Sequence, residues 1–321
     1  MAIHNKSHSN SGLMSINRMN TNNIKHKASI DFNMPDETNC VLFNEDCMET
    51  LKRLPDESVQ LILIDPPYNL DLAVWDTYQN YIEWAAKWLD EAYGVLSKSG
   101  NMVIFGGTQF QDAQSGDLIE IIYHCRHKTK FRLVNTIIWY YKNGMSAHRY
   151  FVNRHEEVIW LTKTDKYFFD LDAVRVKYND KDLELALKDK RLNPDNVRKG
   201  KNPTNVWEIG RLNGNSERVG HPTQKPLEII RRLVKALSYP DSIVLDFFAG
   251  SGTTGRVCIE EKRNCIMCDK DPESRVYFWK HLENMKNTDL AQPFVMNDNM
   301  ADFFEEINGR MNKGQDDVVN K

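Results

Sequence analysis

Six uncharged residues, Val59-Gln60-Leu61-Ile62-Leu63-Ile64, run without a break into Asp65-Pro66-Pro67-Tyr68. A strand this apolar along its length is a buried one, and further signals of its kind recur down the chain. Strands are expected near 59–64, 101–105, 132–141 and 156–162, alternating with helices near 79–97 and 115–126. Strand 242–247, a helix from about 253, strand 264–268 and a helix from about 272 follow. Alternation of this kind predicts an α/β fold of Rossmann-like type: a mostly parallel sheet with helices on both faces. Ligands of such sheets sit beyond the carboxyl ends of the strands, where Asp65 falls.

The four residues after the first strand carry chemistry as well as a turn. Asp65 offers a carboxylate, and Pro66 offers a carbonyl whose direction is set by the fixed proline φ. With the Tyr68 ring beside them, these groups suit a planar heterocycle held by an exocyclic amine. Taken alone, the same residues also read as a proline-rich turn with Asp65 as a turn former and Tyr68 as packing.

A second site lies far along the chain. Ser242-Ile243-Val244-Leu245-Asp246-Phe247-Phe248 reads as a buried strand that runs into Ala249-Gly250-Ser251-Gly252-Thr253-Thr254-Gly255, which opens a helix. Gly250-x-Gly252-x-x-Gly255, with Asp269 at the end of the next strand, also satisfies the dinucleotide fingerprint. On spacing alone a nicotinamide-dependent oxidoreductase therefore competes, since both folds set a nucleoside over a glycine turn and a carboxylate on its ribose.

With both motifs quoted, the chain resembles the DNA amino-methyltransferases, and the order of the motifs, Asp-Pro-Pro-Tyr first and Phe-Ala-Gly-Ser-Gly late, resembles the beta subgroup of adenine-N6 enzymes. The likeness extends from about residue 35 to about residue 290. It includes Asn143-Gly144-Met145-Ser146-Ala147, Asn153-Arg154-His155-Glu156-Glu157, Phe168-Phe169-Asp170-Leu171-Asp172, Asn202-Pro203-Thr204-Asn205-Val206-Trp207 and Arg218-Val219-Gly220-His221-Pro222-Thr223-Gln224-Lys225-Pro226. The resemblance implies S-adenosylmethionine as methyl donor and double-stranded DNA as substrate, with the target adenine flipped out of the helix. It implies catalytic roles for Asp65, Pro66, Pro67 and Tyr68. Cofactor contacts are implied for Asp65, for Phe248, Ala249, Gly250, Ser251, Gly252, Thr253 and Thr254 around the methionine, and for Asp269 on the ribose. Asp46 and Cys47 would meet the cofactor's adenine, and His221, Thr223 and Lys225 would line the methionine side. The likeness is greatest to a modification enzyme of GAATTC specificity, which implies a type II restriction-modification setting, a cognate endonuclease acting on the same site and, as in related enzymes, a homodimer. A cytosine-N4 enzyme is the nearest alternative, although that subgroup usually has Ser where Asp65 stands. RNA is the next alternative substrate.

The formal charge of −3 does not exclude a nucleic-acid partner, because phosphate affinity follows the clustering of Lys and Arg rather than their total. Residues 175–218 hold eleven Lys or Arg against seven Asp or Glu, with Asn193-Pro194, Gly200 and Asn213-Gly214 as breakers. This segment is expected to be a target-recognition insert. A shorter basic run, Arg126, His127, Lys128, Lys130 and Arg132, precedes Trp139-Tyr140-Tyr141 and His148-Arg149-Tyr150, a combination suited to a backbone grip with rings free to stack.

Residues 1–34 are polar and poor in large apolar groups, and are expected to form a mobile extension to a methyltransferase domain spanning 35–311, with 312–321 as a solvated tail. No secretory signal or membrane-length apolar run is present, which gives a cytoplasmic expectation. The six cysteines are expected as free thiols, and Cys265-x-x-Cys268 lacks the second ligand pair of a metal site, so no metal is expected.

Overall fold

The computed structural model describes residues 32, 34–69, 78, 80–108, 118–144, 148, 151–212 and 217–319, with side chains as far as Gly309. The expected N-terminal extension, Met145-Ser146-Ala147, Arg149-Tyr150 and Asn213-Gly214 lie outside the described residues, apart from Phe32 and Met34.

Among the described residues nine strands form one sheet: β1 Thr38–Asn44, β2 Val59–Ile64, β3 Leu96–Gly106, β4 Arg132–Tyr140, β5 His155–Thr162, β6 Val206–Glu208, β7 Ile243–Asp246, β8 Asn264–Asp269 and β9 Phe294–Met296. Their spatial order is β6-β4-β5-β3-β2-β7-β8-β1-β9. Every strand is parallel to the rest except β5, which is antiparallel to both β3 and β4. All six residues of β2 are buried, as its composition requires. Its one polar member, Gln60, donates to the Ser99 and Leu237 carbonyls at 3.0 and 3.4 Å and accepts from the Ser99 hydroxyl, which removes the cost of burying an amide.

Helices cover both faces. On one lie α6 Leu227–Leu237, α7 Thr253–Glu260 and α8 Glu273–Met285; on the other lie α1 Cys47–Arg53, α2 Tyr81–Val95, α3 Leu118–Lys128 and α9 Met300–Val319. Alternate residues of each central strand serve the two cores: Leu61 and Leu63 face the α6–α8 side, Ile62 and Ile64 the other. Cys265 and Cys268 fall on opposite faces of β8 for the same reason, so their spacing does not bring the two thiols together.

The strands and helices expected from 59 to 162 and from 242 to 285 fall within a few residues of those observed, except β3, which opens at Leu96, five residues before its expected start and within the end of the expected helix 79–97. No element is expected before residue 59, where the structure has β1 and α1. The described residues of the polar segment 175–218 include short helices α4 Asp180–Lys188 and α5 Pro194–Lys199 and the edge strand β6. The last helix, α9, continues across 312–319, a stretch read as tail.

The short basic run is displaced from its expected role. Arg126, His127 and Lys128 form the last turn of α3, and Arg132 opens β4. Because α3 returns antiparallel to the strands, this run lies at their amino ends, roughly 26 Å of strand away from Tyr140 at the far end of β4. Its charges complement the carboxyl end of the α3 dipole and do not adjoin the aromatic group at the opposite edge.

β2 and β7 are neighbours, in register at Leu61↔Val244 and Ile62↔Leu245. From β2 the chain continues outward to β3, and from β7 it continues the opposite way to β8. The crevice of a doubly wound sheet opens at such a divergence.

Candidate active site

That crevice is a cavity of about 700 Å³, within the range that holds a small-molecule ligand. All but one of the expected site residues line it: Asp46, Cys47, Asp65, Pro66, Pro67, Tyr68, His221, Thr223, Lys225, Phe248, Ala249, Gly250, Ser251, Thr253, Thr254 and Asp269. Gly252 stands behind the lining. It caps the N-terminus of α7 in the left-handed region, with φ +77°, and a Cβ there would lie 2.8 Å from the Phe278 side chain. Its role is to let the turn close against α8.

The cavity has two arms. Along the carboxyl ends of β7, β8 and β1 run the glycine turn, Asp269 and Asp46. Gly250, at φ +48°, turns its N–H onto Asp269 Oδ2 at 2.7 Å, while Asp269 Oδ1 accepts from Asp271 N–H at 2.9 Å. Burial raises the Asp269 carboxyl above its ordinary range despite these two donors. A Cβ on Gly250 would come within 3.2 Å of His221 Nε2, so glycine keeps the turn open beneath the imidazole. Burial also lowers the His221 pKa, which leaves the ring neutral near pH 7. Asp46 caps α1 by accepting from Met48 N–H at 2.8 Å and pairs with Lys270 at 2.6 Å. Burial would raise its carboxyl, but Lys270 and the Met48 N–H bring it below the usual value. Cys47 beside it is a buried thiol pushed up to about 12 by burial and by Asp46.

The second arm follows β2, β3 and β5. Tyr68 donates to Asp65 Oδ1 at 2.7 Å, and Lys225 donates to Asp65 Oδ2 at 2.6 Å. Lys225 is buried; that burial lowers its pKa, but Asp65 and Glu156 more than reverse the effect, and the net shift is upward. Burial and the same two carboxylates push the Tyr68 hydroxyl well above its ordinary value. Tyr81 fixes the loop from below by donating to the Pro67 carbonyl at 2.8 Å.

Between the arms sits Asp246, the last residue of β7. Its carboxyl is pushed up to about 7, mainly by burial, with Thr254 and the Phe248 N–H acting against the shift. Counting Asp65, Glu156, Asp246, Asp269, Asp271, Glu45 and Asp46 against Lys225, Lys270, Arg211 and Arg218, the lining is predominantly acidic. A cationic ligand with a nucleoside portion fits such a surface.

A profile of the family N6_N4_Mtase, described as DNA methylase, matches residues 59–277, which takes in both motifs. The chain belongs to this family. The methylase is 35% identical over 240 residues to the type II methyltransferase M.HpaI of Haemophilus parainfluenzae, covering 72% of this chain and 70% of that protein. It is 34% identical over 238 residues to the DNA adenine methyltransferase YhdJ of Escherichia coli K12, covering 70% and 76%. Among solved structures, the fold is shared with M1.HpyAVI in complex with SAM, at a TM-score of 0.53 and 24% identity, covering 76% of this chain and 98% of that one. Membership of a DNA methylase family decides against the oxidoreductase that the glycine spacing left open.

Asp246 and two further sets of lining residues had no expected role at the site. Glu156 lies 3.3 Å from Lys225 Nζ and 3.4 Å from the Tyr68 hydroxyl. The pair Glu156-Glu157 at the entry of an apolar strand was visible, but only the antiparallel direction of β5 brings a strand's amino end to this edge. Tyr78 and Trp84, stacked at 4.1 Å, form an aromatic wall with Phe248, whose ring is 5.6 Å from Trp84. Trp84 reads in sequence as an ordinary apolar helix position, and the packing of α2 against the crevice had no local signal.

Proposed function

We propose that this methylase transfers a methyl group to adenine N6 in double-stranded DNA, with S-adenosylmethionine as donor, as the modification member of a type II restriction system. The observation that carries the reading is the meeting of the Asp65-Pro66-Pro67-Tyr68 loop and the glycine turn in one crevice across the β2–β7 pair. When bound, the donor supplies an electrophilic methyl group on a cationic sulfonium. Gly250, Ser251 and Thr253 would hold its methionine portion, Asp269 its ribose, and Asp46 with Cys47 its adenine; the acidic lining is suited to its positive charge.

The residues of the second arm bind and orient the target base. Adenine N6 is a weak nucleophile because its lone pair is delocalised into the ring, so acceptors that draw its hydrogens out of the ring plane raise its reactivity. Asp65 is one acceptor and the Pro66 carbonyl the other, while Tyr68 offers a stacking face for a base taken out of the helix. Fixing two reactants in one crevice accounts for much of the rate, and no covalent enzyme intermediate is needed. Adenine is favoured over cytosine N4, which the same family includes, by Asp at position 65 and by a relative named as an adenine methyltransferase.

The test is to express the protein in a host without adenine methylation and map modified bases by single-molecule sequencing, with Asp65→Ala as control. The expected result is N6-methyladenine at one short sequence, GAATTC being the first to inspect, and none in the control. N4-methylcytosine at one sequence would move the assignment to the other branch. No DNA modification from folded, donor-binding protein would overturn the reading.

A further inference from the structure

We propose that Glu156 is a positioning residue that takes Lys225 away from Asp65 when the target base enters. The inference rests on the reading of Asp65 as the acceptor for the base amine. In the structure both oxygens of that acceptor are engaged, Oδ1 by Tyr68 at 2.7 Å and Oδ2 by Lys225 at 2.6 Å. An ammonium held this close draws electron density from the carboxylate, and it occupies the approach that an incoming amine needs. Lys225 must therefore yield for Asp65 to work.

The lysine has little contact with water. It is 8% exposed, and its ammonium lies 5.4 Å from both the Phe105 and the Tyr68 ring centres. A buried ammonium that loses its carboxylate needs another at once. Glu156 is that second carboxylate, already 3.3 Å from Nζ. It is also 3.4 Å from the Tyr68 hydroxyl, so both groups that release Asp65 find the same acceptor. A small rotation of each side chain completes the exchange, and no charge crosses the site.

The placement of Glu156 suits an anchor. It sits on β5, in register with Trp139 of β4, whereas Asp65 and Tyr68 stand on an irregular loop after β2. One carboxylate is fixed by the sheet and the other is free to adjust to the base. With Lys225 counted, the two carboxylates leave one net negative charge, which matches a cationic donor and, after transfer, a methylated amine that must lose a proton.

Single-turnover methylation with radiolabelled S-adenosylmethionine, on genomic DNA from a host without adenine methylation, tests the exchange. Glu156→Gln preserves shape and removes charge; it leaves Lys225 on Asp65 and is expected to lower the rate at least tenfold. Donor affinity by calorimetry is expected to weaken by less than the rate falls, through the charge lost from the acidic lining, and the melting temperature to stay close to wild type. Glu156→Asp, which restores the charge, is expected to recover part of the rate. In a Lys225→Met background, where no ammonium holds Asp65 and only the Tyr68 hydroxyl does, Glu156→Gln is expected to change the rate less than threefold. A wild-type rate in Glu156→Gln, or losses that multiply in the double variant, would overturn the proposal. A wild-type protein that binds the donor and methylates no DNA would instead overturn the functional reading beneath it.

Discussion

Gly252 and Asp246 show how single positions in the crevice divide their work between fold and ligand. Gly252 combines a left-handed backbone with contact against Phe278. Gly252→Ala should therefore lower the unfolding free energy by about 2–4 kcal/mol, from αL strain plus overpacking. The check is a urea melt with an unchanged slope and a lower midpoint. Asp246 acts through its proton. Its folded pKa of about 7 stands above the ordinary 3.8. Between those values the folded chain keeps a proton that the unfolded chain has lost, so this group's contribution to stability falls as pH rises through that window and levels off above 7. Binding of a cation runs the opposite way, because the carboxylate that attracts it is present above pH 7. Donor affinity measured by calorimetry should strengthen from pH 6 to pH 8, by up to about tenfold for a single group going from about a tenth to about nine tenths ionised. Asp246→Asn, titrated over the same range, removes this group's part of the pH dependence.

The element that separates a structural from a ligand role most cleanly is α1. Asp46 caps it through Met48 N–H and pairs with the partly exposed Lys270. Asp46→Asn keeps a good cap and loses an ion pair of small value, whereas Asp46→Ala loses the cap and should cost about 1 kcal/mol. Thermal melts of the two variants should differ accordingly; equal losses would mean that the ion pair, not the cap, holds this end of the helix. The same element marks the limit of what the sequence conveys. β2 and β7 were legible because each is a short, wholly apolar run that stops at residues with fixed backbone demands, Asp-Pro-Pro-Tyr or Ala-Gly-Ser-Gly. β1 was not, because Thr38, Asn39 and Asn44 break its apolar pattern. The Asn39 backbone N–H donates to Asn264 Oδ1 at 2.8 Å, so part of this strand's bonding goes to a side chain 225 residues away. The direction of β5 is likewise a property of the whole sheet. Glu156 could not be assigned to the site until that direction was known.

At the scale of the molecule, the distribution of charge decides which face meets DNA. Much of the basic character of 175–218 is spent locally. Arg175 and Lys199 pair with Asp172, Lys188 with Glu184, Arg191 with Asp189, and Arg198 with Asp195. Arg211 and Arg218, at the end of the segment, line the crevice itself, and Arg211 lies over the Tyr141 ring at 5.1 Å. The basic turn of α3 is at the opposite edge of the sheet. If the crevice faces the duplex, Arg211 and Arg218 are the side chains placed to meet phosphates beside the extruded base, and Arg126 and Lys128 are not. The dependence of DNA affinity on salt tests this directly, since each lost phosphate contact lowers the slope of log K against log salt by about 0.9. Replacing Arg211 and Arg218 together by Gln should make the slope shallower by about 2. Replacing Arg126 and Lys128 together by Gln should leave both slope and methylation rate unchanged. The reverse pattern would set the duplex against the amino ends of the strands, where a base flipped toward Asp65 has no path through the sheet, and the orientation argued here would fall with it.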